Sequence, residues 1–131
     1  MTDTKSTLKM VSCLCTDACH DSFSKKYAEA CRILSSLGIT ANYAGFHYSA
    51  FAIALAAAEP QRLQLVTKWL YPDVAAKYRT SSDSVRKCIC RTCHIAWENN
   101  RTLLEEMALR PLKEKPGTSE FLAIITVHLV L

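Results

Sequence analysis

The hexapeptide RTSSDS at residues 79–84 constrains this chain more than any other stretch. It is built from turn and helix-capping residue types, and apolar residues fall at helical spacing on both sides of it. Upstream, Pro72 suits the first turn of a short helix whose inward face is Val74, Ala75 and Tyr78. Downstream, at about 100° per residue, Val85, Ile89, Thr92 and Ala96 line up as one buried stripe with Cys93 and Trp97 beside them. Thr80 and Asp83, three positions apart, approximate a capping box. Two helices joined by a short polar turn match a helix-turn-helix. A solvent-facing amphipathic helix in an ordinary bundle would produce the same pattern.

The remaining segments also read as helix. Residues 1–23 are polar and rich in Ser, Thr and Asp, which predicts a flexible leader. A first helix is expected from about Ser24 to Leu37, with Tyr27, Cys31, Leu34 and Leu37 at helical spacing and Gly38 as its stop. A second, Phe46 to Ala58, is apolar nearly all round and should be the buried central helix, ended by Pro60. Helix resumes over 61–78. After the turn a long helix runs to about Asn99 and a shorter one covers Leu103–Leu109. RPLKEKPG is a loop, and Thr118 caps a last helix at Ser119–Leu129. No segment alternates as a strand would, and no repeat is visible. The predicted fold is all-α: one domain over residues 24–131, a compact bundle of about six helices, long enough to build a core without disulfides or metal.

Charge then separates the helices. From Gln61 to Arg101, Arg62, Lys68, Lys77, Arg79, Arg86, Lys87, Arg91 and Arg101 stand against Asp73, Asp83 and Glu98, a local +5 in a chain whose total is +4. The helix after the turn leaves Ser84, Arg86, Lys87, Cys90, Arg91 and His94 on its open side. Arg and Lys near a helix N-terminus suit the major groove, where they donate to guanine O6 and N7. Ser84, Arg86, Lys87, Cys90, Arg91 and His94 are therefore the expected base-facing set, and Lys77, Arg79, Thr80 and Ser82 the expected phosphate contacts. The implied partner is double-stranded DNA.

Six of the seven cysteines fall in two clusters, CLCTDACH at 13–20 and CICRTC at 88–93. Cys15 with Cys19, and Cys90 with Cys93, have spacings open to zinc ligands, and each cluster ends in a histidine, His20 or His94. On one helix, however, Cys88 lies about 120–140° around from Cys93 and His94, so the second cluster does not converge on one ion. Cys90, Cys93 and His94 would need a fourth ligand from the leader. The expectation is no metal and no cofactor, with buried thiols acting as small hydrophobes. Cys90 and His94 share a face, but no orienting third residue or oxyanion element accompanies them, and the chain is not read as an enzyme. His47 and His128 stand alone, and GITANYAG lacks the glycine spacing of a phosphate loop. The first 26 residues hold no secretory h-region, and the longest apolar runs, Ala50–Ala58 and Phe121–Thr126, are too short to span a bilayer. A soluble cytoplasmic protein with reduced thiols is expected, without a membrane partner.

Longer blocks carry a resemblance. TKWLYPDVAAKYRTSSDSV at 67–85, IAW at 95–97, KPGTSEFLAII at 115–125 and LGITANYAGFHY at 37–48 together resemble the C-terminal effector domain of the master sporulation response regulator of endospore-forming bacteria. The resemblance covers about residues 27–131 in the same order. It implies a bacterial six-helix DNA-binding domain that regulates transcription, with residues 72–78 and 82–97 as the helix-turn-helix. It also implies tandem dimers on repeated sites.

Two departures stand out. That family joins the domain to a receiver with a phosphorylatable aspartate, whereas some 26 unrelated residues precede it here, so no phosphorylation switch is expected. Arg86, Lys87, Cys90 and Arg91 replace the residues the family usually presents to bases, so its target sequence does not carry over. The loop at 109–115 lacks the family's aromatic-glycine pattern. RNA polymerase or another protein target is the second class of partner, and the changed base-facing positions with the cysteine-bearing leader point to an adaptor or inhibitor, for instance a mobile-element antagonist, that reuses the helix-turn-helix face. The final helix, with Phe121, Leu122, Ile124, Ile125, Leu129 and Leu131, reads as too apolar for one face, which predicts a weak homodimer through it.

Overall fold

The structure is a computed structural model that describes residues 16–130, with side chains from Ser22 onward. Among the described residues it is helix and connecting turn, with no strand. Helix α1 spans Thr16–Ser36, α2 Ala44–Ala58, α3 Val66–Trp69, α4 Tyr71–Tyr78, α5 Ser82–Ala108 and α6 Thr118–Val130, and a 3-10 turn covers Pro60–Gln64 between α2 and α3. The all-α architecture is as expected. The first helix starts earlier than expected, at Thr16 instead of near Ser24, so the helical pattern runs back into the polar segment read as leader. Cys13 and Cys15 lie outside the described residues.

Helix α2 is the centre. Phe46, Ala50, Ala52, Ile53, Ala54 and Ala56 are buried, and α1, α5 and α6 all pack on it. An alanine-rich helix suits this place because small side chains let three neighbours approach closely, while Phe46 and Ile53 fill the remaining volume. Leu34 from α1 and Leu37 just after it, Val74 from α4, Val85, Ile89 and Ala96 from α5, and Phe121 and Ile125 from α6 complete one core. Helix α1 ends where Gly38 takes φ +93°, a conformation that favours glycine, and the Ile39 N–H turns back to the Leu34 carbonyl at 3.1 Å.

One polar group inside this core is uncompensated. Ser49 is fully buried in α2, and its hydroxyl has no hydrogen-bond partner among the described residues. Ser49→Ala removes that desolvated hydroxyl and adds helix propensity. The expected result is a gain of about 1 kcal/mol, read as a rise of a few degrees in the thermal midpoint.

The break expected near Asn99, between a long helix and a shorter one over Leu103–Leu109, is present as a kink within α5: the backbone is non-helical at Asn100, with φ −151° and ψ 56°, and helix continues to Ala108. There the Asn100 side-chain amide donates to the Ser36 carbonyl at 3.1 Å, satisfying the end of α1. Beyond the kink, Arg101 lies over the Trp97 ring at 4.4 Å and donates to the Leu112 carbonyl at 2.6 Å, while Glu105 accepts the Leu112 N–H at 2.8 Å. This folds the loop at 109–117 against α5. In α6, Phe121, Leu122, Ile124 and Ile125 are core residues, so the apolar surplus expected at a dimer contact is mostly used inside one chain. A charge at Ile125 would break the core instead of probing a dimer. Val127 and Val130 are the large apolar side chains α6 leaves exposed, and Leu131 lies outside the described residues.

Candidate nucleic-acid interface

The helix-turn-helix is assembled from the outside in. Arg62, on the 3-10 turn, sends Nε to Glu59 at 2.8 Å and Nη1 to the Trp69 carbonyl at 2.6 Å and Asp73 at 2.5 Å. It thereby ties the end of α3 to the first turn of α4, where Pro72 costs no helical hydrogen bond. Helix α4 stops at Arg79, which takes a left-handed conformation (φ 56°, ψ 52°), and the Thr80 N–H closes the turn on the Ala75 carbonyl at 2.9 Å. The cap of α5 is Ser81, whose Oγ accepts the Ser84 N–H at 3.1 Å. The Thr80 and Asp83 capping box expected from the sequence is not formed. Ser81 already satisfies the free amide, and Asp83 turns its carboxylate outward.

That carboxylate organises the open face. Asp83 Oδ1 lies 2.9 Å from Arg86 Nη2 and Oδ2 lies 3.2 Å from Lys87 Nζ, pairs one helical turn apart. The two cations hold the Asp83 carboxyl below its usual range, and Asp83 in turn raises the Arg86 guanidinium. Arg91 and His94 are exposed further along the same face, and Arg91 has no ion pair among the described residues. Ser84 and Cys90 are half-buried at its edges. The six residues expected to face bases thus share one side of α5, opposite Val85, Ile89, Thr92, Cys93 and Ala96, which are buried.

The expected phosphate contacts are less uniform. Arg79 is exposed at the turn, and Thr80 and Ser82 are half-buried beside it. Lys77 lies against an aromatic cluster, its ammonium 5.6 Å from the Phe51 ring centroid and 5.7 Å from that of Tyr78. The Tyr78 ring in turn lies tilted against that of Tyr48, centroids 5.1 Å apart.

The cysteines of α5 diverge. Cys93 is buried and donates its S–H to the Pro116 carbonyl at 3.3 Å. Burial pushes its thiol up to about 12, only partly opposed by Lys115, so it stays neutral at physiological pH. It holds the loop before α6. It does not turn toward His94, and no group of three or more metal-ligating side chains forms among the described residues. Side chains of Cys19 and His20 are not among those described.

Two contacts that sequence reasoning missed set the position of α5. A Cβ at Gly45 would lie 2.1 Å from Thr92 Oγ1 and 2.5 Å from the Cys88 carbonyl oxygen, so glycine is what lets α2 touch the α5 backbone. The spacing of Asp83 to Arg86 and Lys87, three and four residues, was legible as a helical ion-pair signal. No local pattern marks Gly45, because its contact comes from a distant part of the chain.

No helix among the described residues is long and apolar enough to cross a membrane. Residues 30–129 match the family described as the C terminal of the sporulation initiation factor Spo0A. This span contains the helix-turn-helix, the kink, the loop and nearly all of α6. It is a family of DNA-binding effector domains in transcription regulation and sporulation, and this chain belongs to it.

Proposed function

We propose that the chain is a sequence-specific transcriptional regulator that lays residues 82–97 of α5 in the major groove of double-stranded DNA. The observation that carries this is the exposed cationic side of α5, which begins at a capped N-terminus directly after the turn. Arg86, Lys87 and Arg91 donate to base edges, with Ser84, Cys90 and His94 adjoining. Arg79, Thr80 and Ser82 hold phosphates, and Lys77 reaches one by leaving its place over the rings. No catalytic step is part of this reading. Such a protein acts in the cytoplasm of a bacterial cell, where its DNA is.

Selection of bound duplexes from a random pool tests the reading. An enriched motif retained in a salt-dependent way is expected. Recovery of no motif, with no salt-dependent retention, favours the adaptor that turns this face toward a protein. The half-exposed Leu65 and Trp69, beside α4, would be the natural apolar contacts in that case. A weak homodimer through the exposed Val127 and Val130 remains part of the proposal, read as cooperative binding on a two-site duplex.

Arg79→Gly separates fold from binding. Glycine at a left-handed position relieves strain on the order of 1 kcal/mol, so the variant should melt at or above the parent temperature. Its affinity should nevertheless fall on all duplexes by the same factor, because the lost group touches phosphate. A loss confined to one sequence would reassign Arg79 to base reading.

A further inference from the structure

We propose that Asp83 is a specificity-determining residue of this face: it restrains Arg86 and Lys87 on generic DNA and accepts a base amino group at the target site. This rests on the DNA-binding reading above and adds a role for a side chain that the reading leaves unused.

The geometry is specific. Asp83 stands in the first turn of α5, and one carboxylate engages two of the three cations of the face, at 2.9 Å and 3.2 Å. Capping does not explain it, since Ser81 fills that place. All three side chains are about half exposed or more, so water weakens both pairs and they exchange readily when a better acceptor arrives. At about 100° per residue, Asp83 falls on the same side as Lys87, Cys90 and His94, near the middle of the open face. It therefore meets whatever Arg86 and Lys87 meet.

Two consequences follow from its charge. A phosphate approaching either cation also comes within a Debye length of the carboxylate, which offsets part of the attraction. Generic affinity is thus lower than the number of cations would give. At base edges an ionised carboxylate only accepts hydrogen bonds. It matches the N4 amino group of cytosine and the N6 amino group of adenine, and it opposes the acceptor atoms of guanine and thymine. Arg86, held through Nη2, keeps its remaining N–H groups for a neighbouring guanine. Asp83 therefore lowers binding to most sequences more than to the right one.

The test uses the full chain and two variants, Asp83→Asn and Asp83→Ala, titrated on the selected duplex and on mixed-sequence duplex of equal length. Removing one negative charge should raise mixed-sequence affinity about 3–10-fold at low salt. Affinity for the selected duplex should rise less or fall, so that discrimination drops on the order of 10-fold. Asp83→Ala, which also lacks the acceptor oxygen, must reproduce that drop, with circular dichroism showing an unchanged fold. Discrimination that is unchanged in both variants overturns the proposal while leaving DNA binding intact. A parent chain and variants that all fail to retain duplex would instead remove the DNA-binding reading on which it rests.

Discussion

Gly45→Ala is expected to lower stability by about 3 kcal/mol, the upper range for overpacking a close contact, and to displace the first half of α5. The added carbon would sit 2.5 Å from the Cys88 carbonyl oxygen, a backbone atom that no side-chain rotation can move aside. The nearer clash, with Thr92 Oγ1 at 2.1 Å, is also constrained, because that hydroxyl donates to the Cys88 carbonyl at 2.9 Å. Helix α5 must therefore shift away from α2. The thermal midpoint should fall on the order of 10 °C, and DNA affinity should fall in the fraction that stays folded, since α5 carries the proposed base-reading residues. Adding Thr92→Ala removes only the side-chain clash and should restore stability in part. A Gly45→Ala chain that melts within a degree or two of the parent would show that α2 and α5 are not in backbone contact.

Raising monovalent salt from 50 to 200 mM is expected to weaken binding to duplex DNA about 10-fold. Two cationic phosphate contacts, Lys77 and Arg79, give a slope near −1.8 in log affinity against log salt, which over a fourfold salt change is roughly one decade. Arg91→Ala should behave differently from a phosphate contact. It should erase preference at one base pair by about 1–3 kcal/mol and change the slope little. The pair of measurements is a salt titration on selected and mixed duplexes with parent and variant. A flat salt response would rule out a phosphate-anchored complex, and an equal loss on all sequences would move Arg91 from bases to backbone.

Most of the helical layout was legible because it depends on local signals. The buried stripe Val85, Ile89, Thr92 and Ala96 follows from 3.6-residue periodicity, and Gly38 and Pro72 mark a stop and a start for reasons internal to the backbone. The same locality explains the misses. The cap moved from Thr80 to Ser81, a choice between adjacent residues of similar capping strength. The break near Asn99 was legible but its partner was not, because the Asn100 amide meets the end of α1, sixty-four residues away in the chain. The surplus of apolar residues in α6 went into the core because α2 and α5 cover more than one side of it.

By itself, the sequence determined that this protein is an all-helical domain with a helix-turn-helix and that positive charge gathers on one side of its second helix. Periodicity, capping chemistry and charge are properties of neighbouring residues, and no tertiary contact is needed to express them. Only the tertiary structure decided what that face presents. It gave the buried Cys93 the Pro116 carbonyl as its partner, and it laid Lys77 over Phe51 and Tyr78. It also set α5 in place through the missing side chain of Gly45. Each of these is a contact between segments distant in the chain, and its geometry exists only once the helices have packed.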